Sequence, residues 1–366
     1  MIVIGADTHK ASHTFAAVQA QTGRIVGTRT VRADAEGLLA AWQWAHSLSE
    51  TCERVWALED CRHVSGRLER MLIGQGERVV RVAPRLTGEL RRGERRPGKS
   101  DEIDAVAAAR AAIREGVENL PVAFLDEQAL EIRLLNDYRA QLVAERTRHQ
   151  NRLRWHLVDL DPELEHRVPD RALAREQWVG RIGRRLARLP QSVRVRIARD
   201  HLKRIRELTR SERSLERELI VLIEAHRPDL LAEPGIGPIT AATLIGRTGG
   251  AQRFPTDGHY ARQAGVAPIP ASSGNTNRVR LNRGGDRQLN CALHRIAFTR
   301  ARTCPHTRAY LDRKQAEGKT RAEAYRCLKR HIARHVWHLL NQTPDPTPQP
   351  TLSIHCNTPT GTLTLT

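Results

Sequence analysis

The sequence predicts an α/β domain at the amino end followed by a mostly helical remainder. Three observations carry this. Strand and helix patterns alternate over residues 1 to about 120, helix formers dominate from about Asp126 to His226, and a third apolar-periodic stretch runs from Glu233 to about Leu340. At 366 residues the chain exceeds one ordinary hydrophobic core. Four segments are expected: 1–120, 121–228, 229–342, and a Pro/Thr-rich tail over 343–366 that lacks amphipathic period and reads as disordered.

In the first segment, Ile2 to Ala6 is a short apolar run of buried-strand type. His13 to Ala20 and Arg24 to Val31 flank a turn at Gln21-Thr22-Gly23 and read as a hairpin. A helix follows, with Asp34 as its N-cap and Leu38, Leu39, Trp42 and Ala45 on one face. Next come a strand from Arg54 to Leu58, a helix around Val64 to Ile73, and a strand from Val79 to Ala83 stopped by Pro84. An antiparallel hairpin joined to parallel strands in the order β-β-β-α-β-α-β-α suggests an RNase H-like domain.

Between Arg85 and Lys99, Arg91, Arg92, Arg95, Arg96 and Lys99 are punctuated by Gly88, Gly93, Pro97 and Gly98, so a mobile basic loop is expected. In the middle segment His201, Ile205, Leu208, Leu215, Leu219 and Leu222 recur in a four-three alternation interrupted by Glu212. Leu130, Leu134, Tyr138 and Leu142 offer an earlier helix to pair with that coiled-coil seam, beyond the breakers Pro162 and Pro169. Such a seam serves a helical hairpin or an oligomer interface; an element that helps form a homo-oligomer is expected. The third segment opens with Pro234-Gly235-Ile236-Gly237-Pro238 before a helix from Ile239 to Ile245. That turn is helix-hairpin-helix-like, its glycines letting backbone N–H groups approach a phosphate at a helix start, and it equally fits an ordinary turn between helices.

Sixty Lys and Arg against 41 Asp and Glu give a net charge of +19. An excess of that size suits a partner with a dense row of phosphates, which releases counterions on binding. Aromatic residues are only 4% of the chain, which disfavours a sheet that stacks single-stranded bases. Six cysteines without C-x-x-C spacing suggest reduced thiols rather than zinc or disulfides. No apolar run is long enough to span a bilayer, so a cytoplasmic, nucleoid-associated protein without membrane contact is expected.

Four acidic residues stand where strands end or a helix begins: Asp7, Glu59, Asp101 and Asp104. The Asp101-x-x-Asp104 pair shares one face of a first helical turn, where acids also favourably meet the helix dipole for purely structural reasons. Asp7 and Glu59 tip the balance, because in an RNase H-like sheet those strand ends are neighbours. Clustered carboxylates repel unless hard cations neutralise them, hence the expectation of Mg²⁺, as one ion or two. His9 and Asp60 are adjacent, weaker candidates. His331-Ile332-Ala333-Arg334 imitates the H-x-x-R of tyrosine recombinases, but no tyrosine follows it, which rules against that mechanism.

Taken together, these residues resemble a family: the bacterial insertion-sequence transposases with an N-terminal DEDD catalytic domain and a C-terminal serine-containing transposase domain, related to pilin-gene invertases. The matching pieces are Ile4-Gly5-Ala6-Asp7-Thr8-His9-Lys10, Leu58-Glu59, Lys99 to Ala105, Pro234-Gly235-Ile236-Gly237, Tyr260 to Gly265, Ser273-Gly274, Asn282 to Leu289, and the helical stretch from Gly318 to Leu340. The chain departs from the family in reading Glu59-Asp60-Cys61-Arg62 where Glu-Ala-Thr-Gly is usual. The resemblance implies a Holliday-junction-resolvase-type domain binding Mg²⁺ through Asp7, Glu59, Asp101 and Asp104. It also implies a transposase domain over 229–342 in which Ser273, with Ser272 one place away, attacks a DNA phosphate to form a phosphoserine intermediate. Donor and target double-stranded DNA would be selected by a structured bridge RNA, on a dimer or tetramer. Arg91, Arg92, Arg95, Arg96, Lys99, Gly235, Gly237, Arg278, Arg280, Arg283 and Arg287 are the expected nucleic-acid contacts. A metal-dependent, structure-specific nuclease without covalent intermediate is the alternative.

Overall fold

A computed structural model describes residues 1–48, 53–59, 62–93, 100–271, 279–282 and 284–342. Five strands, β1 (Ile2–Thr8), β2 (Ser12–Gln19), β3 (Ile25–Arg32), β4 (Arg54–Glu59) and β5 (Arg78–Val82), form one sheet in the order β3-β2-β1-β4-β5. β1 pairs antiparallel with β2 and parallel with β4, and β4 pairs parallel with β5. This is the strand order expected of an RNase H-like domain. The helices α1 (Ala35–Ser47) and α2 (Arg62–Gly74) cover one face, where Ile4, Phe15, Trp56 and Leu58 meet Leu38, Ala41, Leu68 and Leu72. The other face packs Val3, Val55, Ala57 and Val80 against α3 (Pro84–Gly93) and α4 (Asp101–Glu115). Asp34 caps α1 as expected, accepting from Gly37 N at 2.9 Å, but Leu39 lies outside the buried face, 45% exposed.

The stretch read as a mobile basic loop begins as a helix. Pro84 stops β5 and then opens α3, where proline fits the first turn because its missing N–H is not needed there. Leu86 is buried against the sheet, and that burial outweighs the glycine at position 88. Residues 94–99, with Arg95, Arg96 and Lys99, lie outside the described residues, as do the side chains of Arg91 and Arg92 and the whole tail 343–366.

Two 34-residue helices, α5 (Glu127–Leu160) and α8 (Val193–His226), pack along each other. Contacts from Gln128 to His226, Arg139 to Glu212 and Glu145 to Arg204 show that they run antiparallel, as a hairpin within the chain. The second half of the seam holds, with Ile205, Leu208 and Leu219 buried. The first half differs. Leu134 and Tyr138 are 60% and 52% exposed, whereas Ile132, Asn136 and Leu142 face inward. Asn136 is accommodated because its amide donates to Thr243 on a third helix. The hairpin tip is filled by α6 (Pro162–Arg167) and α7 (Glu176–Arg188), which bury Leu164, Val179, Ile182 and Leu186 against Leu153, Leu157 and Leu202.

Glu212 breaks the apolar seam because it is an ion-pair hub. Its carboxylate takes Arg139 at 2.7 Å and Arg146 on its other oxygen, with all three side chains largely buried. Glu212→Ala is expected to destabilise the chain by about 3–5 kcal/mol, since it takes the nearest carboxylate from two buried guanidinium groups and leaves Arg139 only Glu216 at 3.7 Å. Replacing Glu212, Arg139 and Arg146 together by leucine should recover most of that loss in denaturant unfolding.

Farther along the seam, His149 and His201 approach at 2.8 Å between Nδ1 atoms, and His156 stacks on His201. Burial chiefly lowers the pKa of all three. Arg204, Arg152 and Arg148 press further on His149, and Arg194 on His156, while Glu145 and Asp200 oppose. A depressed folded-state pKa leaves the hairpin fully stable above the ordinary histidine range near 6.5 and less stable as pH falls below it. The melting temperature is expected to fall between pH 6.5 and 5, and His201→Asn should flatten that slope.

The remaining helices are α9 (Pro228–Ala232), α10 (Pro238–Thr248), α11 (Asp257–Gln263), α12 (Arg287–Thr303), α13 (Pro305–Ala316) and α14 (Arg321–Asn341). With the inner ends of α5 and α8 they share one core around Leu244, Tyr260, Leu293, Ile296 and Ile332. A two-residue ribbon, β6 (Ile269–Pro270) with β7 (Val279–Arg280), forms the stem of the loop between them. Cys291, Cys304 and Cys327 are free thiols. Among the described residues no helix is long and apolar enough to cross a membrane.

Candidate active site

The four acidic positions converge through two local devices. The first is strand register: Ala6 pairs with Leu58 in the parallel β1–β4 ladder, so Asp7 and Glu59 leave the sheet as neighbours, on the face that α4 covers. The second is Gly5. A Cβ there would stand 2.0 Å from the Ala105 carbonyl oxygen and 2.5 Å from Ala109 N, so only glycine lets the α4 backbone lie directly on β1. That contact brings the start of α4 beside Asp7. Ser100 caps α4, accepting from Ile103 N at 3.3 Å, and Asp101 and Asp104 occupy the first turn.

Within this arrangement Asp7, His9 and Asp101 offer ligand atoms within 4.8 Å of one another. His9 Nε2 lies 3.1 Å from Asp7 Oδ2 and 3.7 Å from Asp101 Oδ1. Burial raises the Asp7 pKa, the nearby Asp104 and Asp101 raise it further, and His9 opposes them. Asp104 is therefore close enough to act on Asp7. Glu59 stands one strand over, its Oε1 accepting from Thr87 Oγ1 at 2.6 Å. A half-buried carboxylate pushed up by two others is what a cation would relieve, and the donors are hard oxygens with one imidazole. The residues present thus fit a divalent metal.

Two contributors drew little weight in the sequence. His9 follows Asp7 at the two-residue spacing that places both on one face of an extended chain, a signal that was legible. Thr87 had none, because its helix was read as loop.

The other expected residues fall elsewhere. Ser272, Ser273, Gly274, Arg278 and Arg283 lie outside the described residues. The stem that flanks them is firmly held: Gly265 takes φ +67°, a Cβ on Gly285 would meet Gly265 N at 2.2 Å, and Asn290 donates to the carbonyls of Ala264 and Gly265. Asp286 caps α12 by accepting from Gln288 N and Leu289 N. Arg280 and Arg287 are exposed. Gly235 takes φ +82° in the α9–α10 turn and packs on Arg300, which donates to the Pro234 carbonyl at 2.6 Å; Gly237 is the N-cap of α10. A pocket of about 340 Å³ joins the two regions, lined by Arg85 and Leu86 of α3 on one side and by Arg262, Ile269 and Asn282 on the other.

Comparisons with known proteins identify relatives of this chain. Residues 4–162 match the family model of a transposase of the DEDD type named for IS110. Residues 229–312 match the model described as transposase, IS116/IS110/IS902 family. A 43.6 kDa protein of insertion element IS110 from Streptomyces coelicolor is 32% identical over 294 residues, covering 68% of this chain and 71% of the relative. The 42 kDa protein of insertion element IS900 from Mycobacterium paratuberculosis is 26% identical, covering 92% and 94%. The 44.8 kDa protein of IS116 from Streptomyces clavuligerus is 26% identical, covering 95% and 97%. Among solved structures, T. thermophilus RuvC in complex with a Holliday junction substrate is similar over 32% of this chain and 96% of its own, at 15% identity and a TM-score of 0.25. A likeness that loose leaves the fold to rest on the strand order itself.

Proposed function

The chain belongs to the IS116/IS110/IS902 family of insertion-element transposases, and on that premise we propose that it cuts, exchanges and rejoins duplex DNA at a centre formed by Asp7, Glu59, Asp101 and Asp104 together with Ser273. The observation that carries this is the gathering of Asp7, His9 and Asp101, with Asp104 in electrostatic reach and Glu59 on the adjoining strand.

The four carboxylates would hold Mg²⁺, with His9 beside them. A divalent ion held by these residues would supply charge neutralisation at the phosphate. Thr87 fixes the Glu59 carboxylate, and Ser100 fixes the start of α4 so that Asp101 and Asp104 keep their distance from Asp7. Ser273 is the nucleophile in this reading: its Oγ bonds to phosphorus as it gives up its proton, and a sugar oxygen departs as a free hydroxyl. The tight Gly265–Gly285 stem supports a loop that must present a side chain accurately. The exposed cations Arg280 and Arg287, with Arg91, Arg92, Arg95, Arg96, Lys99, Arg278 and Arg283, would contact DNA backbone, and Gly235 and Gly237 would lend N–H groups to a phosphate. A bridge RNA selecting donor and target, and assembly as a homo-oligomer over segments 1–120, 121–228 and 229–342, complete the reading.

A denaturing gel decides between this mechanism and hydrolysis by the carboxylates alone. Wild-type protein incubated with Mg²⁺ and element-end duplex should give a covalent protein–DNA species that Ser273→Ala does not form, while Ser273→Ala still binds the duplex. If Ser273→Ala cuts at the wild-type rate, the serine has no such role and the metal-dependent nuclease reading stands. A structured RNA from the flank of the gene should copurify with the protein.

A further inference from the structure

At the tip of the helical hairpin, α7 and α8 enclose an open groove of about 1330 Å³. Gly180 and Gly183 on α7 leave the space. A Cβ on Gly183 would press on Leu202 at 3.2 Å, so glycine also sets how closely the two helices pack. Arg196, Arg199 and Lys203 line the α8 wall, and Arg184 faces them from α7; all four are exposed.

What separates these cations from an ordinary solvated face is that none of the four is held in an ion pair. Other cations of this stretch of α8 are paired: Arg194 with Asp159, Arg204 with Glu145 and Glu207, and Arg206, at the groove itself, with Glu176. Two carboxylates, Asp200 and Glu176, line the groove as well, but none of Arg184, Arg196, Arg199 and Lys203 forms an ion pair among the described residues, and cations outnumber carboxylates there. Arg196, Arg199 and Lys203 follow one another at three- and four-residue spacing, where like charges on a helix repel. An excess of cations over carboxylates along a groove suits an anionic occupant that neutralises it.

We propose that this groove is a docking site for the backbone of duplex DNA, separate from the carboxylate centre; this rests on the chain's reading as a DNA transposase. From Arg196 to Arg206 the α8 wall runs about 15 Å, enough to reach across the roughly 12 Å major groove of B-form DNA from one backbone to the other. A-form RNA draws those backbones into a deep, narrow groove that such a wall does not match. Arg196 lies 23 residues from Leu219, where α8 enters the transposase core, or about 35 Å along the helix. The hairpin therefore acts as an arm that grips DNA well away from that core.

The test uses full-length protein, with Arg184, Arg196, Arg199 and Lys203 changed together to Gln. A second variant, Gly180→Glu, leaves every cation in place and sets a carboxylate in the groove, where it can pair with Arg184 one turn on. Its Cβ would meet only the Arg184 guanidinium, at 3.6 Å, so the fold is preserved. Binding of a 40-base-pair element-end duplex is measured between 50 and 200 mM salt, beside an RNA duplex of the same sequence. Four phosphate contacts at about 0.9 each predict that the slope of log K on log salt becomes shallower by about 3 to 4 in the quadruple variant. Gly180→Glu should weaken DNA binding at least tenfold, and melting temperatures should not fall in either variant. Wild-type slope and affinity in both variants would overturn the groove as a DNA site. A loss confined to the RNA duplex would overturn the choice of DNA. Wild-type protein that binds no duplex at all would overturn the transposase reading of the site and this inference with it.

Discussion

Asp7→Asn is expected to lower single-turnover strand cleavage by about three orders of magnitude or more, on the scale of the several kcal/mol that a positioned metal contributes. The same change should raise the melting temperature of the metal-free protein. Asp7 has a raised pKa, first from burial and then from Asp104 and Asp101. A carboxyl whose folded-state pKa is raised supports the fold at low pH, and that support is lost as pH rises through the folded value. At neutral pH the charged Asp7 therefore burdens the metal-free fold. Asparagine keeps the shape without the charge, so the stabilising difference should be present at pH 7 and vanish below the ordinary aspartate range near 3.8. Added Mg²⁺ should stabilise the wild type and leave the variant nearly unmoved. Cleavage by the variant within tenfold of wild type would remove Asp7 from the metal site.

The candidate site was legible in the sequence as far as strand ends could be read. Asp7 and Glu59 each closed an apolar run, and the Asp101/Asp104 pair shared one face of a first helical turn. The parallel register that sets Asp7 beside Glu59 depends on which strands neighbour each other, which no local pattern states. Helix α3 was missed because Gly88 and Gly93 read as breakers, whereas Leu86 and Leu90, one turn apart, pack on the sheet and outweigh them. The inward face of α5 was misassigned for a related reason. Large apolar residues mark a seam by pattern, but α10 supplies Thr243 for Asn136, which lets a polar residue face in while Leu134 and Tyr138 face out. In both cases the deciding partner lay far away in sequence. Because α8 pairs with α5 of its own chain, this seam closes a hairpin within the protomer.

Gly5→Ala should damage both the fold and the chemistry, although the residue carries no functional group. Its Cβ would fall 2.0 Å from one backbone atom of α4 and 2.5 Å from another, so no side-chain rotation relieves the clash. Either β1 or α4 must move by an ångström or more. Overpacking of this kind costs about 1–3 kcal/mol, and more where backbone is met. The displacement falls on the first turn of α4, and an error of about 1 Å in a catalytic group can cost about a hundredfold in rate. The expected result is a lower melting temperature together with cleavage reduced about a hundredfold and weaker Mg²⁺ binding in titration calorimetry. Shrinking the neighbour cannot rescue it, because the atoms struck are the Ala105 carbonyl and the Ala109 amide rather than their methyl groups. Gly66→Ala is the matched control: in α2 its Cβ meets only Arg70 at 3.8 Å, so it should leave cleavage unchanged and stabilise the helix slightly. If Gly5→Ala instead kept wild-type metal affinity and rate, the contact between β1 and α4 would not be what sets the spacing of Asp7 from Asp101 and Asp104, and the metal site would have to be built on the strand ends alone.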